Sequence, residues 1–235
     1  MSQTTAPRPA SEISAAEALR TGDEAFHRKD YAEAMRWLGQ VAEQGSAAGQ
    51  GKVGALYYHG RGVAQDYEAM RWYRKAADQG DATAQAAIGW LYEHGEGVAQ
   101  DYSEAMRWYR KAADQGDVSA QFNIAAIYQS GRGVAQDYAE AMLWYRKLAD
   151  QGNASAQTNI GWLYENGRGV TQDYDEAMRW YRKAADQGNP MAQYNIGLLF
   201  SNGWRVRHDL SEARAWMQKA AASGDEDARK WLAAN

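Results

Sequence analysis

The chain has 235 residues, with 26 Lys and Arg against 30 Asp and Glu. Its net charge of −4 leaves no excess positive field to collect a polyanion, which sets nucleic acid aside as a partner. An apolar fraction of 45% with 10 Trp, 15 Tyr and 3 Phe excludes a disordered chain. With no cysteine there is neither a disulfide nor a thiolate metal site. There is also no apolar run of about 18 residues and no charged-then-apolar start, so the expectation is a cytoplasmic protein without a membrane span.

Residues 1–13 are polar, carry Pro7 and Pro9, and are expected to form a disordered tail. Beyond them the sequence repeats itself. RWYRKAADQG stands at 71–80, 107–116 and 179–188, with LWYRKLADQG at 143–152. Trp37, Trp72, Trp108, Trp144, Trp180 and Trp216 keep one phase, at a period of 36 residues with one interval of 35. This divides the chain into an entry helix pair at 14–45, five repeats and a C-terminal capping helix at 225–235. The repeats run 46–80, 81–116, 117–152, 153–188 and 189–224.

Each period predicts two helices. In the first, apolar positions such as Ala84, Ile88, Leu91 and Tyr92 recur at helical spacing and define one buried face. Inside that face sits a small residue, Gly54, Gly89, Ala125, Gly161 or Gly197, which predicts close approach of another helix. The first helix stops at paired glycines beginning at Gly60, Gly95, Gly131 and Gly167. The second opens with capping boxes: Asp30/Glu33, Asp101/Glu104, Asp137/Glu140, Asp173/Glu176 and Asp209/Glu212. In the repeat that reads DYEAM at 66–70 the box spacing is lost, and a weaker cap is expected. One such pair cannot bury enough apolar surface to offset its own ordering, so neighbouring pairs must stack. The predicted class is all-α, an α/α solenoid of tandem helix pairs.

GRGVAQDYAEAMLWYRKLADQG (131–152), GRGVTQDYDEAMRWYRKAADQG (167–188) and AQYNIGLLFSNG (192–203) carry the pattern most fully. With them the chain resembles the Sel-one-like repeat family, a subgroup of the tetratricopeptide-like solenoids, over roughly 46–224. The resemblance implies a right-handed superhelix that acts as an interaction scaffold. Ala64, Ala99, Ala135 and Thr171 stand where the family often has proline, and Arg205 replaces the second glycine of the fifth turn, so these loops are expected to differ.

In related solenoids the first helices line the concave surface. Opposite the core they present Gly51/Ala55/Tyr58, Ala86/Trp90/Glu93, Phe122/Ala126/Gln129, Thr158/Trp162/Glu165 and Tyr194/Leu198/Ser201. These positions vary while the rest is nearly identical from copy to copy. Trp90, Trp162, Phe122 and Tyr194 either anchor a partner or pack against the adjacent repeat. One residue inward, Asn123, Asn159 and Asn195 could bond an extended peptide backbone or stand solvated in the groove. The expected partner is a protein or peptide, with a monomer as the default state. The candidate contact set is Tyr58, Trp90, Glu93, Phe122, Asn123, Gln129, Asn159, Trp162, Glu165, Tyr194, Asn195 and Leu198.

Chemistry is sparse by comparison. His59 and His94 occupy equivalent places, but no third ligand accompanies them, so no metal or cofactor is expected. Glu93 and Glu165 lie two repeats apart, about 20 Å, too far for a glycosidase pair. The glycine turns follow no strand and precede no Gly-Lys-Ser/Thr, and Ser46, Ser103, Ser119 and Ser155 stand away from any histidine. The Arg-Trp-Tyr-Arg-Lys blocks could touch RNA but read better as an ion-paired outer face. Two other readings stand beside the scaffold. One is a β-lactamase-like or cell-wall hydrolase, as described for some cysteine-rich relatives. The other is a passive or consensus-designed array.

Overall fold

The computed structural model describes residues 14–62, 68–203 and 208–235. The tail at 1–13, the cap residues Asp66 and Tyr67, and the Arg205 loop lie outside them. Thirteen helices and no strand occur among the described residues. Their first members are α1 (Ala15–His27), α2 (Tyr31–Glu43), α3 (Ala47–Tyr58), α4 (Glu68–Asp78), α5 (Ala82–His94) and α6 (Tyr102–Asp114). Then come α7 (Val118–Ser130), α8 (Tyr138–Ala149), α9 (Ala154–Asn166), α10 (Tyr174–Ala185), α11 (Pro190–Asn202), α12 (Leu210–Ala222) and α13 (Glu226–Ala234). The all-α class and the pairing of helices at the 36-residue period are as the repeat predicts.

The chain forms two compact units, one up to Ala120 and one from Gln121. In the first, each helix from α1 to α6 packs on the next in order. In the second, α8 to α13 do the same. The core is correspondingly serial. In the first unit Leu38, Val53 and Leu56 form one cluster, and Tyr73, Ile88, Leu91 and Trp108 belong to the next. In the second, the clusters centre on Tyr145, Ile160 and Leu163, then Tyr181, Ile196 and Leu199, then Met217 and Ala228.

Local chemistry starts and stops each helix. Asp30, Asp101, Asp137, Asp173 and Asp209 accept from the backbone N–H three residues on at 3.0–3.1 Å, as the capping boxes predict. The first helices have caps of their own, which the sequence reading did not assign. Asp81, Asp117, Asn153, Asn189 and Asp225 accept from the amides of Ala84, Ala120, Ala156, Ala192 and Ala228 at 2.7–2.9 Å.

The loop between paired helices is anchored at both ends. Asp101, Asp137 and Asp173 donate their N–H to the carbonyls of Tyr92, Tyr128 and Tyr164, each at 2.9 Å. Gln100, Gln136 and Gln172 donate their side-chain amides to the carbonyls of Glu93, Gln129 and Glu165, satisfying helix-end acceptors that have no intrahelical partner. The second glycine of the turn reaches further. At Gly169 a Cβ would stand 2.7 Å from the carbonyl carbon of Tyr138, at the opening of α8 in the preceding pair. The loop thus rests on its neighbour's backbone.

Two alanine substitutions separate strain from contact. Gly152 has φ of +86° and nothing within 4 Å of a Cβ, so Gly152→Ala should cost about 1 kcal/mol from backbone strain. Gly169→Ala adds a clash with Tyr138 to the strain at φ of +69° and should cost about 3 kcal/mol. Chemical denaturation of the two variants tests the ordering, and equal losses would remove the contact as its cause.

Candidate functional site

The face presented by the first helices is held by the tyrosines of the second helices. The Tyr109 and Tyr181 rings lie so close to Gly89 and Gly161 that a Cβ would come within 2.6–2.7 Å of ring carbons. With the helices at this distance, each tyrosine hydroxyl reaches the last candidate position of its partner helix. Tyr109 donates to Glu93 at 2.8 Å, Tyr145 to Gln129 at 2.8 Å and Tyr181 to Glu165 at 2.5 Å. Glu93 is therefore not an open groove carboxylate: it is only 6% exposed. Gln129 and Glu165 are half-buried.

Burial pushes the Tyr145 and Tyr181 hydroxyls up, and the Glu165 carboxylate pushes Tyr181 further. For Glu165, burial holds the carboxyl above its ordinary 4.5, and the Tyr181 bond draws it partly back. These bonds lock side chains whose sequence positions had suggested exposure.

The other candidates divide. Ala86 and Thr158 are buried, and Thr158 donates to the carbonyl of Ala154 at 2.9 Å. Trp90, Trp162, Phe122, Tyr194 and Leu198 are half-buried. Trp90 meets Tyr58 of the preceding first helix edge-to-face at 5.3 Å and stacks on His94 at 4.0 Å. Trp162 lies 6.4 Å from Tyr138, and Phe122 sits edge-to-face with Tyr145 at 5.6 Å. Tyr194 and Leu198 pack on the cluster formed by Met217 and Ala220 of α12 and Ala228 of α13. The aromatics thus share packing between repeats with a remaining accessible surface. Asn159 donates to the carbonyl of Ser155 in its own helix, while Asn195 bonds Tyr181. Asn123 is half-buried.

The structure brings out residues that the sequence reading passed over. Gln85, Gln157 and Gln193, all buried, donate to carbonyls of the preceding second helix at Ala77, Ala149 and Ala185. Gln85 and Gln157 also accept at 2.8 Å from Gln115 and Gln187, at the end of their own second helix. The helices α5 and α9 are thus stitched to the helix before them and the helix after them. The signal was present as the recurring Ala-Gln and Asp-Gln-Gly, but both read as ordinary surface glutamine.

The outer face of the second helices is also accounted for. Lys75, Lys111, Lys183 and Lys219 lie over Trp72, Trp108, Trp180 and Trp216 at 3.9–4.2 Å. Glu104 and Glu176 pair with Arg107 and Arg179 at 2.8 Å. Arg74 and Arg146 donate to the Tyr92 and Tyr164 hydroxyls of the next pair at 2.7 Å. Among the described residues no group of three or more His, Cys, Asp or Glu gathers to hold a metal ion. His59 edges the Tyr58 ring, and the His94 Nδ1 lies 2.9 Å from the Trp90 carbonyl. No described helix is long and apolar enough to cross a membrane.

Comparison with known proteins gives a consistent result. The Sel1 repeat family model matches residues 10–46, 47–81, 82–117, 118–153, 154–189 and 190–225. The chain is similar to a Sel1 repeat protein from Oxalobacter formigenes, with 34% identity and a TM-score of 0.84 over 91% of this chain and 88% of that one. It is also similar to c5321, a protective antigen of uropathogenic Escherichia coli with an SLR fold. There the identity is 34% and the TM-score 0.80, over 96% of this chain and 50% of that one, so this chain spans about half of the antigen. Pseudomonas aeruginosa PilF, 18% identical with a TM-score of 0.68 over 94% of this chain and 97% of that one, shares the fold. No curated protein matches the sequence.

The tyrosine–acceptor bond gives a pH-dependent prediction. A carboxyl whose native pKa is raised keeps its proton to higher pH than the unfolded chain does. Over that interval the native state binds more protons, and stability falls as pH rises through it. Gln129 shows that an amide fills the same place and accepts from tyrosine. Glu165→Gln should therefore flatten the fall above about pH 4.5 and add about 0.5–1 kcal/mol at neutral pH. Urea unfolding at pH 4 and pH 7.5 measures it; a variant less stable at both pH values would contradict the assignment.

Proposed function

The chain belongs to the Sel1 repeat family, and from that premise we propose that it binds a protein or an extended peptide along the face presented by its first helices. Sel1 repeat proteins are helical repeat scaffolds, generally protein-interaction modules, and this supports reading the chain as a binding protein rather than a catalyst. One observation carries the choice of face. In copies otherwise nearly identical, the sequence changes at first-helix positions, and the changes include large aromatics that keep accessible surface, Trp90, Trp162 and Phe122. Packing alone would favour the same solution in every copy.

Their chemistry suits the task. A tryptophan already held by a neighbouring ring loses little side-chain freedom on docking, which is how interface anchors keep their contribution. An extended segment must itself be ordered on binding, which points to affinity in the micromolar range, about −8 kcal/mol.

Trp90→Ala and Trp162→Ala test the face. With a partner isolated by affinity capture and identified by mass spectrometry, each variant should weaken binding by about 10-fold or more. Circular dichroism should still show a cooperative helical melt, because both indoles are only half-buried. Unchanged binding by both variants would move the interface off this face.

A further inference from the structure

The first unit contains a cavity of about 380 Å³ lined by Tyr58, His59, Tyr73, Ala87, Trp90 and Leu91. Three of these side chains present aromatic rings to one space, on the face assigned above to partner binding. Two departures from the repeat pattern meet there. At the position that holds Glu93, Gln129 and Glu165 in later pairs, the chain carries Tyr58. The second-helix tyrosine of this pair, Tyr73, therefore faces another phenol in place of a carboxylate or amide. At the position that holds Arg61, Arg132 and Arg168 in other turns, the chain carries Glu96. Its carboxylate lies beside the Tyr58 hydroxyl, which burial first and that charge second push up to about 12.

The balance of charge at the cavity follows from its neighbours. His59 is held below its ordinary value by burial and by Arg61, so it is neutral at pH 7. Arg61 is the nearby cation, and its guanidinium is already engaged over the Phe26 and Tyr31 rings at 5.5 Å. Among the described residues what remains is an apolar chamber with aromatic walls and one carboxylate at the hydroxyl end of Tyr58. Ring faces carry negative potential and attract cations, and a planar guanidinium, weakly hydrated and able to stack, suits such walls better than a compact ammonium.

We propose that this cavity receives the guanidinium group of an arginine side chain presented by the bound partner. The inference rests on the binding role of the first-helix face and adds the chemical identity of the group bound there. A neutral apolar group is the competing occupant, and charge separates the two.

The probes are N-acetyl-arginine N-methylamide and its uncharged isostere N-acetyl-citrulline N-methylamide, titrated into the full chain and followed by NMR of the Trp90 indole N–H. The arginine compound should bind about 5-fold or more tightly than the citrulline compound, and Glu96→Gln, on an exposed loop, should weaken it about 3- to 10-fold. Trp90→Leu removes the indole probe, so it is followed by the backbone amides of Tyr58 and Ala87, whose shifts on addition of the arginine compound it should abolish, with unchanged amide spectra elsewhere confirming the fold. Equal binding of the two compounds, or no effect of Glu96→Gln, would overturn the proposal. If partner capture still depended on Trp90 in that case, the scaffold reading would survive without it. If the arginine compound behaved as expected while partner capture ignored Trp90, the cavity would stand and the scaffold reading would fall.

Discussion

A tyrosine ring pressed against a glycine sets the geometry of these helix pairs. Gly54, Gly89 and Gly161 lack a Cβ, and the space is taken by Tyr73, Tyr109 and Tyr181. The contact decides how near the two helices lie, and that distance decides where the phenol oxygen ends. A buried hydroxyl without an acceptor is costly, so the first helix must offer one within reach. Glu93, Gln129 and Glu165 meet this requirement. In the fifth repeat Met217 replaces the tyrosine against Gly197, and Ser201 stands where an acid or amide would be. Ring and acceptor are lost together there while the small residue stays, just as Ala125 serves beside Tyr145 and Gln129 in the third repeat.

Stacking one pair on the next is a separate problem with a polar solution. An apolar seam alone would allow helices to slide, since dispersion contacts have little directional preference. Gln85 and Gln157 remove that freedom by bonding a fixed carbonyl of the preceding helix and a fixed glutamine of the following one. Arg74 and Arg146, bonded to tyrosines of the next pair, fix the same register from the outer side. The outer ion pairs do less, because exposed pairs contribute about 0–1 kcal/mol.

Much of this was legible in the sequence. Capping boxes, glycine turns and the 36-residue period need only local rules, and the structure follows them. The small residue at Gly89 signalled a close neighbour, though not that the neighbour was Tyr109. What the periodicity could not reveal was the pairing of groups 16 or 30 residues apart. Glu93 reads as exposed because it is charged and lies opposite Leu91 and Ile88, yet the hydroxyl of Tyr109 makes its burial tolerable. Gln85 reads as a surface residue for the same reason. A polar side chain's burial depends on its partner, and single-helix periodicity carries no information about partners.

That dependence also explains why function is easiest to build where the pairing of ring and acceptor is broken. A pair that keeps tyrosine, glycine and acceptor has closed its polar ledger and leaves little for a ligand. When the acceptor becomes Tyr58, the hydroxyl of Tyr73 loses its internal acid and a third ring, Trp90, comes to lie against the newcomer at 5.3 Å. The substitution exchanges a satisfied bond for aromatic surface and volume. In an array whose other copies are held nearly alike by the same contacts, such an exchange is stable because the neighbouring pairs supply the packing that the altered one gives up. Repetition supplies the rigidity, and the exception supplies the site.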